Sequence, residues 1–229
     1  MIYTIIAYAD TDGREFNKNG DCRILRQPQR LLPSDIASYV ENTKNPSLRA
    51  ERRLAYTALF CGLKEFFMVE GCSLLKSVDG KPYLTYSKNF PAPKIFVSIS
   101  HSEGACAVAL SDEGEVGVDI QCEIDSSRYE RLSSRFLSDV EIKSEDINHK
   151  LYCMSLSDEQ AEIFAIDLKK PQNMGLTEKW CYTEAVLKCH GRGFGDISRA
   201  SEIANGIKTD IREINLKDKR LILATSIEK

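Results

Sequence analysis

Apolar residues recur along the first half of the chain with the period of a strand and then with that of a helix. Ile2–Ala9 is rich in β-branched and aromatic residues, which predicts a first β-strand. Apolar positions between residues 48 and 66 recur at helical spacing, with Ser47 as the expected N-cap and Gly71 just beyond the end. The sequence therefore predicts an N-terminal strand followed by one long helix.

The rest of the chain alternates between further strands and helices. Strands are predicted at residues 95–99, 105–110, 116–120, 211–216 and 220–227. Helices are predicted at residues 157–168 and 177–189, and a partly helical region begins at 135–138. The Asp-Glu-Gly sequence at 112–114 is typical of a hairpin turn, and the glycines at 191 and 193 end the last helix.

The order of these elements predicts an α+β fold made of two similar, pseudo-twofold-related lobes. Each lobe would be a small antiparallel sheet packed on a long helix, and 229 residues are enough for two such cores. We assign residues 1–112 to the N-terminal lobe and residues 113–229 to the C-terminal lobe, with the active site between them. The duplication is inferred from the order of elements, because no sequence repeat is visible.

Composition and charge narrow the compartment and the partners. Hydrophobic residues make up 42% of the chain and charged residues 28%, as in ordinary globular proteins. The net charge of -3 argues against broad electrostatic attraction to nucleic acid or to an anionic membrane. The eight cysteines form no CxxC pair, and the N-terminal apolar run is too short for a signal core or a membrane span. We therefore expect reduced, mostly buried thiols and a cytoplasmic protein.

The strand at 116–120 carries the first candidate for chemistry, the acid Asp119 between apolar neighbours. Alternation along a strand places Asp119, Gln121 and Glu123 on one side and the apolar residues between them on the other, toward a core. An acid at the end of such a strand can hold a metal ion. The alternative is an ordinary solvated strand face.

The helix at 177–189 carries the second candidate, because it places Glu184 and Lys188 one turn apart on one face. Together with Asp119 they provide two carboxylates for a divalent cation and one cation for a phosphate, which suits chemistry on a pyrophosphate-containing substrate. The alternative is an exposed Glu–Lys pair that supports the helix by about 0.3–0.5 kcal/mol.

Further residues are weaker candidates when each is taken alone. Ser100 and His101 follow an apolar strand, where a hydroxyl and an imidazole can bind a phosphate oxygen or form a polar cap. A Ser–His nucleophile pair is a rival, but adjacent residues of an extended chain point to opposite sides. Lys81 beside Pro82 is a cation on a rigid turn, and Arg52 lies on the long helix, where basic residues are commonly solvated. The glycine-rich loop at 191–195 lies beside a cation and can approach a phosphate closely.

Taken in order, these segments resemble the 4'-phosphopantetheinyl transferase superfamily. The resemblance is closer to its longer, two-lobed Sfp-type members than to the half-length members that assemble as trimers. The matching stretches are residues 80–84, 98–102, 117–120, 135–138, 180–188 and 191–194, with a weaker match at 49–59.

The resemblance implies an enzyme that transfers the phosphopantetheine arm of coenzyme A to a serine of an apo acyl or peptidyl carrier protein, with 3',5'-ADP as the other product. It assigns the Mg²⁺ that bridges the pyrophosphate to Asp119 and Glu184, with Gln121 at the third ligand position. Glu184 is also a candidate base for the serine, and Lys188 is a phosphate contact and the candidate acid for the leaving group. The residues that it assigns to the coenzyme A contacts are Arg52, Lys81, Pro82, Ser100, His101 and Lys188.

Two positions depart from the family pattern. Gln121 stands where the family usually has a second acid, so that this ligand offers a carbonyl oxygen without a charge, and a water or Glu123 are alternatives. Thr183 stands where the residue before the helix glutamate is usually lysine, and Arg192 is a candidate to compensate for the missing cation.

The expected protein is a monomer that binds coenzyme A and Mg²⁺ in the cleft between its lobes, with a carrier protein docked at the rim. Carriers of fatty-acid, polyketide and peptide synthesis are all open. Two other functions are carried as alternatives. One is a non-catalytic module that binds coenzyme A or a carrier, and the other is a metal-dependent hydrolase of nucleotide pyrophosphates.

Overall fold

A computed structural model describes residues 1–9, 22–86, 93–125, 142–157, 159–192, 200–216 and 219–228. The strands are β1 (Ile2–Ala9), β2 (Cys22–Arg26), β3 (Ser73–Lys76), β4 (Pro82–Thr85), β5 (Phe96–Ser102), β6 (Ala105–Ser111), β7 (Val116–Cys122), β8 (His149–Leu156), β9 (Gln160–Ala165), β10 (Ile207–Leu216) and β11 (Lys219–Glu228). The helices are α1 (Ser34–Glu41), α2 (Pro46–Phe67), α3 (Leu176–His190) and α4 (Ala200–Ile203), and Pro28–Leu31 forms a 3₁₀ turn. The α+β class is therefore confirmed.

Two sheets organise the strands. The larger has eight strands in the order β2-β9-β8-β1-β6-β5-β4-β3, and the smaller has three in the order β10-β11-β7. Strand β1 pairs antiparallel with β6 and parallel with β8, so strands from both halves of the chain join the larger sheet. The expected pair of small antiparallel sheets is thus wrong for this sheet, which is large and mixed.

The main helices and sheets stack in four layers. One face of the larger sheet packs on α2, where Leu59 contributes to a core with Ile5 and Val108. The opposite face of that sheet packs on the smaller sheet through a second core that includes Ile6 and Ile120. The outer face of the smaller sheet is covered by α3. Each sheet therefore has one long helix on its outer side.

Two sequence predictions, one of a helix and one of a hairpin, are wrong. Residues 157–168 contain strand β9 rather than a helix, because Ala161 and Ile163 are fully buried on either side of the less buried Glu162. That period of two suits a strand that pairs with β8 on one edge and β2 on the other. The turn at 112–114 does not close a hairpin either, because β6 belongs to the larger sheet and β7 to the smaller one.

The element boundaries confirm some expectations and correct one. The terminal hairpin is confirmed as β10 paired antiparallel with β11, and α3 ends at Gly191, which has a φ of 73°. The N-cap of α2 is Asn45 rather than Ser47, because the Asn45 side chain accepts a hydrogen bond from the Leu48 amide at 3.1 Å. Pro46 can then take the first helical position, where its missing amide proton costs nothing. The predictions at residues 135–138 and at glycine 193 lie outside the described residues.

A buried polar network joins the two sheets. His149 of β8 contacts Thr4 of β1 through Nδ1 at 3.3 Å and Asp210 of β10 through Nε2 at 2.8 Å. The same Asp210 oxygen accepts a hydrogen bond from Arg212 Nε at 2.7 Å, and Thr4 lies 3.3 Å from Thr225 of β11. We refer to these five residues as the His149 network. It links β1 and β8 of the larger sheet to β10 and β11 of the smaller sheet.

The cysteines match the sequence expectation. All eight are free, and all except Cys22 are buried. Within the part of the chain that the structure describes, no helix is both long and apolar enough to span a membrane.

Candidate functional site

Strand β7 and helix α3 lie so close together that one residue of the strand must be a glycine. A Cβ atom on Gly117 would lie 2.0 Å from the carbonyl oxygen of Ala185 and 2.4 Å from the backbone nitrogen of Cys189. Backbone atoms cannot yield at such distances, so any side chain here would force the strand and helix apart. Alternation along β7 then turns Asp119 toward the same helix.

Asp119 is buried in a charge cluster and does not lie on a solvated strand face. Its side chain is 7% exposed, and its Oδ1 atom accepts hydrogen bonds from Lys188 Nζ at 2.6 Å and from Ser100 Oγ at 2.7 Å. Lys188 Nζ also lies 3.0 Å from Ser100 Oγ. Residues from β5, β7 and α3 thus meet at one oxygen atom.

Glu184 completes this cluster, but the negative charge of its carboxylate is poorly compensated. Its Oε2 atom lies 3.9 Å from Lys188 Nζ, and its Oε1 atom is buried without a hydrogen-bond partner among the described residues. Burial raises the pKa of Glu184 to about 7; the Lys188 charge opposes this shift and the Asp119 charge adds to it. The pair is therefore not an ordinary exposed helix pair. We refer to Asp119, Glu184, Lys188 and Ser100 as the Asp119 cluster.

Lys188 supplies the positive charge of the cluster. Burial by itself would lower the pKa of the Lys188 ammonium, but the negative charges of Asp119 and Glu184 outweigh burial, and the pKa is raised. Lys188 consequently stays a cation beside the two carboxylates. Its side chain is 29% exposed, so part of it reaches solvent.

Serines of β5 hold the edge of β7 in place. Ser98 Oγ accepts a hydrogen bond from the Val118 amide at 3.0 Å, and Ser102 Oγ accepts one from the Cys122 amide at 3.3 Å. These hydroxyls satisfy amides that do not pair with β11 and so fix the two sheets against each other. Ser98 and Ser102 were not among the sequence candidates, although serine at every second position from 98 to 102 is a visible signal.

A cavity of about 210 Å³ opens beside the cluster. Its lining residues are Asp79, Gly80, Lys81, Pro82, Ser98, Ile99, Glu184, Leu187, Lys188, Gly191 and Arg192. A second cavity of about 510 Å³ shares Asp79, Lys81, Pro82 and Gly191 with it, so the two are neighbours along the same turn. Volumes of a few hundred Å³ are usual for sites that hold small molecules.

Positive and negative charges balance at the smaller cavity. Its walls and the adjoining Asp119 supply three basic and three acidic side chains, which balance in charge when Glu184 is ionised; they are Lys81, Lys188, Arg192, Asp79, Asp119 and Glu184. A pyrophosphate carries negative charge, so the side chains alone offer it no surplus attraction. A divalent cation between Asp119 and Glu184 would supply that surplus.

The residues present fit a hard divalent cation. Mg²⁺ prefers one or two carboxylates together with water and substrate oxygens, and the unpartnered Glu184 Oε1 is such a donor. Gln121 is buried on the strand face of Asp119, and its amide nitrogen donates to the Cys122 carbonyl at 3.1 Å, which leaves its carbonyl oxygen as the atom that could ligate. The described residues hold no cluster of three or more His, Cys, Asp or Glu side chains suited to a metal, and the expected set has only two carboxylates.

The turn residues Lys81 and Pro82 lie at the cavity, as expected. Lys81 Nζ donates a hydrogen bond to the Cys189 carbonyl at 2.5 Å and forms an ion pair with Glu115. Thr183 is fully buried and donates to the Lys179 carbonyl at 2.7 Å within α3.

Two of the expected nucleotide contacts lie apart from the cluster. His101 points away from Ser100 and contacts Glu51 of α2 through Nδ1 at 2.9 Å, which excludes a Ser–His pair. Arg52 donates to Thr43 Oγ1 at 3.0 Å, and its guanidinium lies 4.7 Å from the Tyr39 ring centre. Neither His101 nor Arg52 contributes to the described walls of the two cavities.

Comparison with known proteins adds no assignment. No family model matches the chain, and no curated protein matches it significantly. The geometry of the Asp119 cluster and the sequence motifs are therefore what indicate a function for this chain.

Proposed function

We propose that this chain is a Mg²⁺-dependent 4'-phosphopantetheinyl transferase of the Sfp type. It would move the phosphopantetheine arm of coenzyme A to a serine of an apo acyl or peptidyl carrier protein and release 3',5'-ADP. The observation that carries the proposal is the Asp119 cluster, in which two buried carboxylates and one ammonium adjoin a cavity and one carboxylate oxygen has no partner among the described residues. The sequence resemblance supplies the reaction.

Asp119 and Glu184 would hold the metal, and the Gln121 carbonyl is the candidate third protein ligand. Bound Mg²⁺ neutralises charge on a pyrophosphate and polarises its phosphorus–oxygen bonds. The chain's own part is to fix both carboxylates on elements that cannot shift separately, because β7 and α3 touch through their backbones at Gly117.

The reaction needs a nucleophile, and the carrier serine provides it. The serine oxygen bonds to the phosphorus that bears the pantetheine arm, and the bond from that phosphorus to the bridging oxygen breaks. The serine proton passes to the Glu184 carboxylate, directly or through a water molecule. The 3',5'-ADP leaving group takes the bonding electron pair, and its charge is stabilised by the Lys188 ammonium, which is also the candidate proton donor.

The proposal also includes the division of the chain into two lobes. We infer two pseudo-twofold-related lobes, residues 1–112 and 113–229, in a monomeric cytoplasmic enzyme. Two observations support the lobes: each sheet carries one long helix on its outer face, and the chain passes from the larger sheet to the smaller one between Ser111 and Val116, before β8 and β9 return to the larger sheet. Glu115 of this connection lines the larger cavity, and the carrier protein would dock at the rim of the smaller cavity beside the Asp119 cluster.

The test is the intact mass of several apo carrier proteins after incubation with coenzyme A, Mg²⁺ and this chain. Wild type should add one phosphopantetheine, whereas Glu184→Gln and wild type in EDTA should not. Glu162→Gln is the matched control, because this carboxylate lies on β9 and accepts a hydrogen bond from Gln160 instead of adjoining the cavity. It should transfer as wild type does.

The failures of this test point to the alternatives. Coenzyme A binding without transfer to any carrier would replace the proposal with a non-catalytic binding protein, a function that the uncharged Gln121 favours. Release of free phosphopantetheine without a carrier would replace it with a pyrophosphate hydrolase.

A further inference from the structure

The three serines of β5 that face β7 do not all make the same contact. Ser98 and Ser102 accept hydrogen bonds from main-chain amides of β7. Ser100, which lies between them, instead donates a hydrogen bond to the Asp119 carboxylate at 2.7 Å. The middle serine is thus directed at a charged side chain, whereas its neighbours satisfy the main chain of the facing strand.

Ser100, Lys188 and Asp119 form a closed triangle of hydrogen bonds. Lys188 Nζ lies 2.6 Å from Asp119 Oδ1 and 3.0 Å from Ser100 Oγ, and the third side is the contact between the hydroxyl and the carboxylate. An ammonium group can only donate, so Ser100 Oγ accepts from Lys188. The single hydroxyl proton of Ser100 is therefore committed to Asp119.

Ser100 does not belong to the described walls of either cavity. The residue is only 6% exposed, although its neighbours Ser98 and Ile99 line the smaller cavity. A phosphate oxygen accepts hydrogen bonds, and Ser100 has no second proton to donate to it. The phosphate contact that the resemblance assigns to Ser100 would consequently break the hydrogen bond to Asp119.

Two donors from separate elements converge on Asp119 Oδ1. Ser100 belongs to β5 of the larger sheet and Lys188 belongs to α3, so the carboxylate cannot turn without losing hydrogen bonds to both. Hydrogen bonds to ligating side chains orient them and thereby set the affinity of a site for its metal ion. The same triangle holds the Lys188 ammonium, because Nζ donates to both Asp119 and Ser100.

We infer that Ser100 is a positioning residue, which orients Asp119 toward a metal ion and Lys188 toward the leaving group, and that it does not contact the nucleotide. The inference rests on the proposed function and changes the role of one of its expected coenzyme A contacts. Ser100 acts on the reaction through the two side chains that it holds.

Titration with Mn²⁺, followed by electron paramagnetic resonance of the free ion, tests this role without turnover. Mn²⁺ accepts the same oxygen ligands as Mg²⁺. We expect Ser100→Ala to bind Mn²⁺ about tenfold more weakly than wild type, because Asp119 loses a hydrogen bond that orients it. Glu184→Gln should weaken binding further, which would assign the signal to the Asp119 cluster.

Ser102→Ala is the matched control for the metal titration. It removes a hydrogen bond between the same two strands, but that bond goes to a main-chain amide and does not involve Asp119. Its Mn²⁺ affinity should equal that of wild type. An equal loss of affinity in Ser100→Ala and Ser102→Ala would overturn the inference, because general loosening of the strands would then explain both.

Calorimetry with 3',5'-ADP at saturating Mg²⁺ distinguishes a positioning residue from a phosphate contact. Ser100→Ala should keep the nucleotide affinity within about twofold of wild type. In the transfer assay, its kcat should fall about tenfold while its KM for coenzyme A stays unchanged. A nucleotide affinity that is about tenfold weaker, with Mn²⁺ affinity unchanged, would make Ser100 a phosphate contact and overturn the inference.

The metal titration also separates this inference from the proposed function. Weaker Mn²⁺ binding by Ser100→Ala, without transfer by wild type to any carrier, would remove the transferase proposal and keep Ser100 as the positioning residue of a metal site. Transfer by wild type, with unchanged Mn²⁺ affinity in Ser100→Ala, would keep the transferase proposal and remove the inference. Absence of Mn²⁺ binding by wild type would overturn both.

Discussion

Two buried polar clusters lie where the sheets meet, and they differ in how the negative charge of their acids is compensated. In the His149 network, a single oxygen of Asp210 is shared by His149 at 2.8 Å and Arg212 at 2.7 Å. In the Asp119 cluster, Lys188 is committed to Asp119 at 2.6 Å and lies 3.9 Å from Glu184. Each cluster leaves one buried carboxylate oxygen without a partner among the described residues, on Asp210 and on Glu184 respectively.

The comparison distinguishes Asp210, which stabilises the contact between the sheets, from Glu184, which is available to bind a ligand at the cavity. A buried carboxylate that is hydrogen-bonded to a guanidinium and to an imidazole offsets much of its desolvation cost. Glu184 has no donor within hydrogen-bond distance in the described part of the chain, and its pKa is raised to about 7. Under-compensated acids beside a cavity are typical of functional sites, because the fold gains nothing from their ionisation.

Removing the Glu184 charge should have the largest effect on function. We expect Glu184→Gln to reduce kcat for transfer by about a thousandfold, because one of two metal ligands loses its charge and the base is lost. Mass spectrometry of carrier protein under single-turnover conditions measures it. Asp210→Asn, measured per folded molecule, should keep the wild-type rate, and a comparable loss there would erase the distinction between the two clusters.

Breaking the His149 network should instead affect stability. Asp210→Asn leaves His149 and Arg212 without their shared anion inside the protein, and we expect the free energy of unfolding to fall by about 3–5 kcal/mol. Urea denaturation followed by circular dichroism gives this value. Glu213→Gln serves as the control because Glu213 pairs with Arg220 in a more exposed position. Equal losses in the two variants would show that burial of the network is not decisive.

The raised pKa of Glu184 makes stability depend on pH in an unusual direction. The folded protein keeps a proton on Glu184 up to about pH 7, whereas the unfolded chain releases it near pH 4.5, the ordinary pKa of a glutamate. In EDTA, the contribution of Glu184 to the free energy of unfolding should therefore fall by about 2–3 kcal/mol as the pH rises from 4.5 to above 7. Glu184→Gln should remove this fall, so that the variant is more stable than wild type at about pH 8.

Thermal unfolding of both proteins across this pH range measures the difference. Identical pH profiles would mean that Glu184 ionises as freely in the folded protein as in the unfolded chain. Addition of Mg²⁺ should stabilise wild type at about pH 8 more than the glutamine variant.

A smaller effect should follow from restoring an acid at Gln121. We expect Gln121→Glu to tighten Mg²⁺ binding about tenfold, because an anionic oxygen would join Asp119 and Glu184 at the cation. Titration of transfer activity with Mg²⁺ gives the half-saturating concentration. Glu123→Gln tests the alternative ligand, and a weaker response to Mg²⁺ in that variant alone would assign the third position to Glu123.

The faces that carry Asp119, Glu184 and Lys188 could be predicted because their spacing is local, whereas the meeting of β7 with α3 was expected only from the resemblance. Period two along β7 brings Asp119 to one face, and period four along α3 brings Glu184 and Lys188 to one face. The neighbouring stripe of α3 packs inward, since Cys181 and Ala185 are fully buried.

Long-range features were beyond sequence reasoning. The His149 network draws on four strands from the start, middle and end of the chain, and no local spacing indicates that they meet. The strand at Gln160–Ala165 was mistaken for a helix because a short segment rich in charged and apolar residues fits both periods. Pairing by β2 and β8 decides between them.

The carboxylates Glu51 and Glu115 show a third kind of limit. The chain contains many acids, and the sequence does not tell which of them will lie beside an expected phosphate contact. Glu51 lies on α2 and contacts His101 of β5. Glu115 lies just before β7 of the smaller sheet and contacts Lys81, which lies just before β4 of the larger sheet. The sequence motifs therefore indicated the candidate phosphate contacts, and only the fold indicated their partners.

The glycine at position 117 makes the spacing of the charge cluster a property of the main chain. Where side chains separate a strand from a helix, exchanging a core residue lets the two slide and changes every distance across the contact. Here the carbonyl of Ala185 and the amide of Cys189 border the strand directly. The strand and helix therefore move as one rigid unit. Substitutions in the core beneath α3 then alter the melting temperature of the protein, while the distance between the Asp119 carboxylate and the Lys188 ammonium stays fixed.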